Sequence, residues 1–250
     1  MIRISVVSYL NSRPFIDGLA GSDLQGEAEL SLDIPSVCAQ KLLDGRADLG
    51  LVPVAVLPFL EHPKIISDYC IGATGPVNSV KLFSNVPLAE IKKILLDYQS
   101  RTSVALTRIL ASEYWKINPI WEKTTEGFEN KVNQNVAAVI IGDRTFNLTG
   151  NYRFEYDLAQ EWIQFSKLPF VFACWVSVRD LPEAFVHKFN VALEKGINNI
   201  DPLAALITRS GLYATDVHAY LTKHISYSFD NEKRRGLDAF LALLSKNQPF

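Results

Sequence analysis

Three cysteines in 250 residues are too few, and odd in number, for a disulfide scaffold. Cys38, Cys70 and Cys174 each sit among apolar neighbours, which marks them as buried thiols, and none has a metal-ligand spacing. A basic excess is missing too: 25 basic side chains face 27 acidic ones, for a net charge of −2. A duplex-binding surface normally carries a cationic surplus, so nucleic acid is not an expected partner. No apolar run reaches the ~20 residues that span a bilayer. The longest, residues 49–60, carries Pro53 and Pro58, and the run at 168–178 is shorter, so no membrane partner is expected either. Residues 1–7 carry one basic side chain and then alternate, without the apolar core or cleavage site of an export signal. The chain is therefore read as unprocessed and cytoplasmic.

Familiar catalytic signatures are absent as well. HExxH, GxSxG, GxGxxG and P-loop sequences do not occur, so nothing supports a metal, nicotinamide or nucleotide cofactor. His62, His187, His218 and His224 are scattered and read as surface or packed side chains.

What is present is a chain 48% hydrophobic and 21% charged, enough to bury one or two cores. Strand-like and helix-like segments alternate. Residues 2–9 alternate in the β manner, and 29–34 do so up to Pro35. Ser36 then precedes an amphipathic stretch closed by Gly45, the pattern of a capped helix. Residues 47–54, 136–141 and 170–178 are apolar at nearly every position, as in strands covered on both faces. Residues 64–73, 79–83 and 93–97 read as further strands. Ser100 or Thr102 caps a helix, and beyond Pro182 the chain reads as helical to its end. This alternation predicts an α/β fold with mainly parallel sheets. One large sheet or two lobes would both fit; two lobes would be joined by extended crossings near 80–84 and 171–176.

Four polar clusters stand out. Tyr9, Asn11 and Arg13 follow the first strand, where ligands of parallel sheets gather. Asn11 can donate and accept, and Arg13 can grip a carboxylate bidentately. On spacing alone the same residues also make an Asx-type turn with a surface arginine. Asn78 and Ser79 follow a glycine-bearing loop. Ser100, Arg101, Thr102 and Ser103 open a helix, a place suited to anions, or simply to capping. Gly142 and Asp143 end an apolar strand, where the glycine permits close approach and the carboxylate can cap or contact a hydroxyl.

In this order the clusters resemble one family. The resemblance runs from Ser8-Tyr9-Leu10-Asn11-x-x-Pro14-Phe15 through Ile34-Pro35-Ser36 and Asp48-x-Gly50-Leu51-Val52-Pro53. It continues with Ser79-Val80-x-Leu82-x-Ser84, Ser100-Arg101-Thr102-Ser103-Val104 and Ile141-Gly142-Asp143. It closes with Tyr156-Asp157-Leu158, Glu161-Trp162 and Leu168-Pro169-Phe170-Val171-Phe172-Ala173-x-Trp175. One departure from the usual pattern is at Ala159, Gln160 and Ser166, around Glu161-Trp162. The sequence resembles the chorismate dehydratases of the futalosine route to menaquinone.

The resemblance implies a two-lobe periplasmic-binding-protein-like fold of type II, with residues 1–82 and 175–250 in one lobe and 83–174 in the other. It implies chorismate as small-molecule substrate and loss of water as the reaction, with no cofactor. Asn11 and Ser79 are then the expected catalytic residues. Tyr9, Arg13, Ser36, Asn78, Ser100, Arg101, Thr102, Ser103, Gly142 and Asp143 are the expected substrate-binding ones. A small-anion solute-binding protein of the same fold and the later naphthoate-forming enzyme of the pathway are the alternatives. A LysR-type effector domain shares the fold, but no helix-turn-helix is seen.

Overall fold

The computed structural model describes residues 1–24 and 26–247. In chain order the strands are β1 (Ile2–Val7), β2 (Ala28–Asp33), β3 (Leu49–Pro53), β4 (Lys64–Ala73), β5 (Val80–Ser84), β6 (Lys93–Leu96), β7 (Ile120–Lys123), β8 (Val136–Ile141), β9 (Phe154–Asp157), β10 (Phe170–Ser177) and β11 (Ser226–Ser228). The helices are α1 (Arg13–Ala20), α2 (Pro35–Leu43), α3 (Arg101–Ile109), α4 (Leu158–Ser166), α5 (Glu183–Asn198), α6 (Ile200–Ser210), α7 (Val217–Ala219) and α8 (Asn231–Asn247). Two sheets result, ordered β11-β4-β10-β3-β1-β2 and β7-β6-β8-β5-β9. The two sheets with their helices make a two-lobed α/β architecture. No helix among the described residues is long and apolar enough to cross a membrane.

Both sheets are mixed, which corrects the expectation of mainly parallel ones. β1 runs parallel to β2 and β3, and β6 runs parallel to β7 and β8. The strands entered from the other lobe run the opposite way: β5 is antiparallel to β8 and β9, and β10 to β3 and β4. A strand that returns from a neighbouring lobe arrives at the far end of its sheet, and this reverses its direction.

The crossings also need correcting. Residues 80–84 and 171–176 belong to β5 and β10, each held whole in one sheet. The chain changes sheets at 74–79, between β4 and β5, and again between β9 and β10. The limits expected at 82/83 and 174/175 therefore cut through strands. An apolar strand and an apolar crossing look alike in sequence, and only pairing separates them. The C-terminal part adds a strand, β11, that its helical spacing hides.

Sequence explains the local structure well where burial is complete. β3 and β10 are buried at every position, which is why they read as nearly unbroken apolar runs. Trp175 on β10 packs edge-on against Phe15 of α1 and Phe189 of α5, locking the outer helices onto the first sheet. The second passage between lobes is clamped by α8. A side chain at Gly236 would meet the Pro169 carbonyl at 2.1 Å, so only glycine admits that approach. Buried Trp162 of α4 donates to the same carbonyl at 3.2 Å and packs on Phe170 and Phe240. All three cysteines are buried and free.

Candidate active site

The strand ends and helix starts of the two lobes face one another across a cleft. Its floor is apolar: Val7, Ile71, Val80, Ile141, Phe172 and Ala173. Its polar groups come from three places.

The first is the turn after β1. Residues Leu10–Ser12 form a tight helical turn, closed by the Ser12 N–H on the Tyr9 carbonyl at 3.0 Å, and lead into α1 with Pro14 in its first turn. The turn sets Asn11 into the cleft. Its Oδ1 accepts the Ser12 hydroxyl at 3.0 Å, and its carbonyl accepts the Tyr227 hydroxyl at 2.9 Å. The second is the end of the first crossing. Ser79, buried at the mouth of β5, lines the cleft, and its Oγ accepts the Tyr220 hydroxyl at 2.7 Å.

The third is the start of α3. Ser100 has extended backbone, and its Oγ accepts the Ser103 N–H at 3.0 Å, a side-chain N-cap. The other first-turn N–H groups are left at the cleft, together with the dipole's positive end. Thr102 and Ser103 line the same wall, and Thr102 Oγ1 accepts the Ala55 N–H of the first lobe at 3.2 Å.

Tyr9 and Gly142 close the cleft from opposite lobes. Gly142 has φ +70°, and a Cβ there would lie 2.8 Å from the Tyr9 ring, so both backbone and space demand glycine. The Tyr9 hydroxyl bonds the Gln99 side chain across the cleft. Gln99 in turn hangs on Asp97, whose buried carboxylate takes the Gln99 N–H at 2.9 Å, the Ile141 N–H at 2.9 Å and Arg144 at 2.5 Å. Burial still pushes the Asp97 carboxyl above its ordinary range, against the pull of Arg144.

Five expected binding residues do not line the cleft. Arg13 begins α1 beside it. Ser36 is not a cap: α2 starts at Pro35, with Ile34 in the capping position, and the Ser36 N–H bonds the Gln99 carbonyl at 3.1 Å. Arg101 turns away to Gln40 of α2 at 3.1 Å, because successive helix residues point about 100° apart. Asn78 is left-handed at φ +62° and structural: its N–H bonds Asp157 at 2.7 Å and its amide meets His224 at 3.0 Å. Asp143 accepts the Leu10 N–H at 3.1 and 3.2 Å, tying the lobes together, and burial raises its carboxyl to about 6. Tyr9, Asn11, Ser79, Ser100, Thr102, Ser103 and Gly142 do line it.

Sequence reasoning missed Tyr220, Tyr227 and Gln99. The two tyrosines lie 141 and 216 residues from the groups they bond, and no local pattern marks them. Among the described residues no cluster of His, Cys, Asp or Glu could hold a metal, and no charged side chain lines the cleft.

Comparison with known proteins fits this frame. A chorismate dehydratase of Thermus thermophilus is 27% identical over 237 residues, covering 84% of each chain. A crystal structure of an Archaeoglobus fulgidus protein superposes with a TM-score of 0.77 at 13% identity, covering 100% of this chain and 98% of that one. The ligand-binding component of an ABC-type import system from Staphylococcus aureus follows at 0.61 and 12%, over 100% and 92% of the two chains. A Candida albicans protein described as having the generic periplasmic-binding-protein fold matches at 0.58 and 11%, over 99% and 95%. These structural likenesses establish the fold. The menaquinone biosynthesis family model matches residues 2–246, and the chain belongs to that family.

Proposed function

We propose that the protein is a chorismate dehydratase, a hydro-lyase that removes water from chorismate to give 3-[(1-carboxyvinyl)oxy]benzoate in menaquinone biosynthesis. The reading draws on the family match and on the activity named for the Thermus relative. The observation that carries it is the cleft itself. Neutral donors from two lobes converge on one apolar floor.

The substrate is a dianion, so it needs two sets of donors. The start of α3 holds one carboxylate through Thr102, Ser103 and free N–H groups. Asn11 and Ser79 face the reacting side. The C3–H electron pair becomes the C3=C4 bond, the C4–O bond breaks, and the departing hydroxide takes a proton to leave as water. The ring becomes aromatic, so the driving force is in the substrate. No His or Glu lines the cleft among the described residues, so the enolpyruvyl carboxylate of the substrate takes the C3 proton. Asn11 holds that carboxylate or the departing hydroxyl, and Ser79 orients it. Such alignment is worth ~7–11 kcal/mol in favourable intramolecular cases. The same reading makes the protein cytoplasmic, on the strength of its biosynthetic family.

The test is to incubate the protein with chorismate and follow an aromatic product lighter by one water. Recovery of bound but unchanged chorismate would make it a binding protein instead. A single His or Glu alanine variant losing ~10³-fold or more in kcat would overturn the substrate-base step.

A further inference from the structure

We infer that Tyr220 is a positioning residue that aims the Ser79 hydroxyl at the substrate. The inference rests on the dehydratase reading above and adds a residue to it.

Tyr220 is buried to 1% exposure, yet its hydroxyl is fully employed. It donates to Ser79 Oγ at 2.7 Å. A serine hydroxyl has one proton to give. With its oxygen accepting from Tyr220, and no other partner among the described residues, Ser79 is left to donate into the cleft.

The segment around Tyr220 is built to hold that oxygen in place. Asp216 caps it, accepting the Ala219 N–H at 3.0 Å on its side chain and the Tyr220 N–H at 2.9 Å on its carbonyl. The Tyr220 carbonyl accepts the Ile225 N–H, five residues on, at 3.1 Å. This widened turn is a rare geometry that recurs at functional sites. Phe146, from the other lobe, packs edge-on to the ring with centroids 5.0 Å apart. Tyr220 thus joins the C-terminal segment, the first crossing and the second lobe at one point. A tyrosine needed only for packing would not require its hydroxyl there, since phenylalanine has the same shape.

The experiment compares the full chain with Tyr220→Phe, Ser79→Ala and the double variant in chorismate turnover. Tyr220→Phe is expected to lower kcat by roughly 10- to 100-fold with KM within about threefold, since an aimed donor serves the transition state. The double variant is expected to lose no more than Ser79→Ala alone, because the phenol acts through that hydroxyl. Unchanged kcat in Tyr220→Phe, or losses that multiply in the double variant, would overturn the role. If Tyr220→Phe does not fold by circular dichroism, 3-fluorotyrosine at position 220 keeps the shape and strengthens the donor. A wild-type kcat in that protein would equally overturn it. A wild-type chain that forms no product would instead refute the dehydratase reading, and this inference with it.

Discussion

The two polar walls of the cleft are built on different principles. The α3 wall is local: Ser100, Thr102 and Ser103 lie in one helical turn, and the cap that shapes it spans three residues. The opposite wall is assembled from afar. Asn11 and Ser79 are separated along the chain and are held from behind by tyrosines 216 and 141 residues away. A local turn keeps its donors whatever the rest of the fold does, which suits the holding of a charge that persists through the reaction. A wall assembled from distant parts has fixed geometry only when the whole molecule is folded and the lobes are together. That suits groups whose task is alignment of reacting atoms.

This contrast is open to direct test. The largest effect is expected for Asn11→Ala: kcat falls by about 100-fold or more with little change in KM, because contacts made only in the transition state act on kcat. Steady-state kinetics with chorismate checks it. A rise in KM alone would erase the distinction between the walls. Next, Gly142→Val should lower the melting temperature and weaken substrate affinity together. It must hold φ +70° with a side chain and push into the Tyr9 ring. Such backbone strain costs about 1–3 kcal/mol, and calorimetry with and without ligand reads both effects.

Smaller still, Thr102→Ala and Ser103→Ala should raise KM by about 5- to 30-fold each, at about 1–2 kcal/mol per hydroxyl, with kcat nearly kept. If they lose only kcat, the helix start takes part in the chemistry.

The smallest effect concerns Asp143, which fastens one wall to the other. Burial raises its carboxyl from 3.8 to about 6, so the folded state binds the proton more tightly than the unfolded one. Its contribution to stability is therefore full below the ordinary carboxylate range and is lost as pH rises through about 6. Urea unfolding of Asp143→Asn should show a flatter pH dependence than the parent across that window. An unchanged slope would assign the titration to another group.

Much of this was legible in the chain, and what was not has physical reasons. Buried strands such as β3, β8 and β10 announce themselves as apolar runs. Residues at strand ends and helix starts, among them Asn11, Ser79 and Thr102, were located by the rule that α/β ligands bind there. Side-chain direction was harder. Arg101 and Thr102 are neighbours, yet one faces Gln40 and the other the cleft, because helix phase is set by the cap and not by residue type. Arg13 and Asp143 have the chemistry of ligand-binding groups, but their orientation depends on where α1 and β8 end. Tyr220 and Tyr227 could not be found at all, since nothing near them in sequence records their partners.

The uncharged lining of the cleft has a kinetic consequence. Long-range steering of an anionic metabolite depends on a cationic field reaching beyond the ~8 Å screening distance of physiological salt. The whole chain carries a net charge of −2, and no cation among the described residues lines the cleft. Within the cleft a dianion is therefore held by dipoles felt at contact. A product of equal charge leaves a lining that offers it no side-chain counter-ion among the described residues.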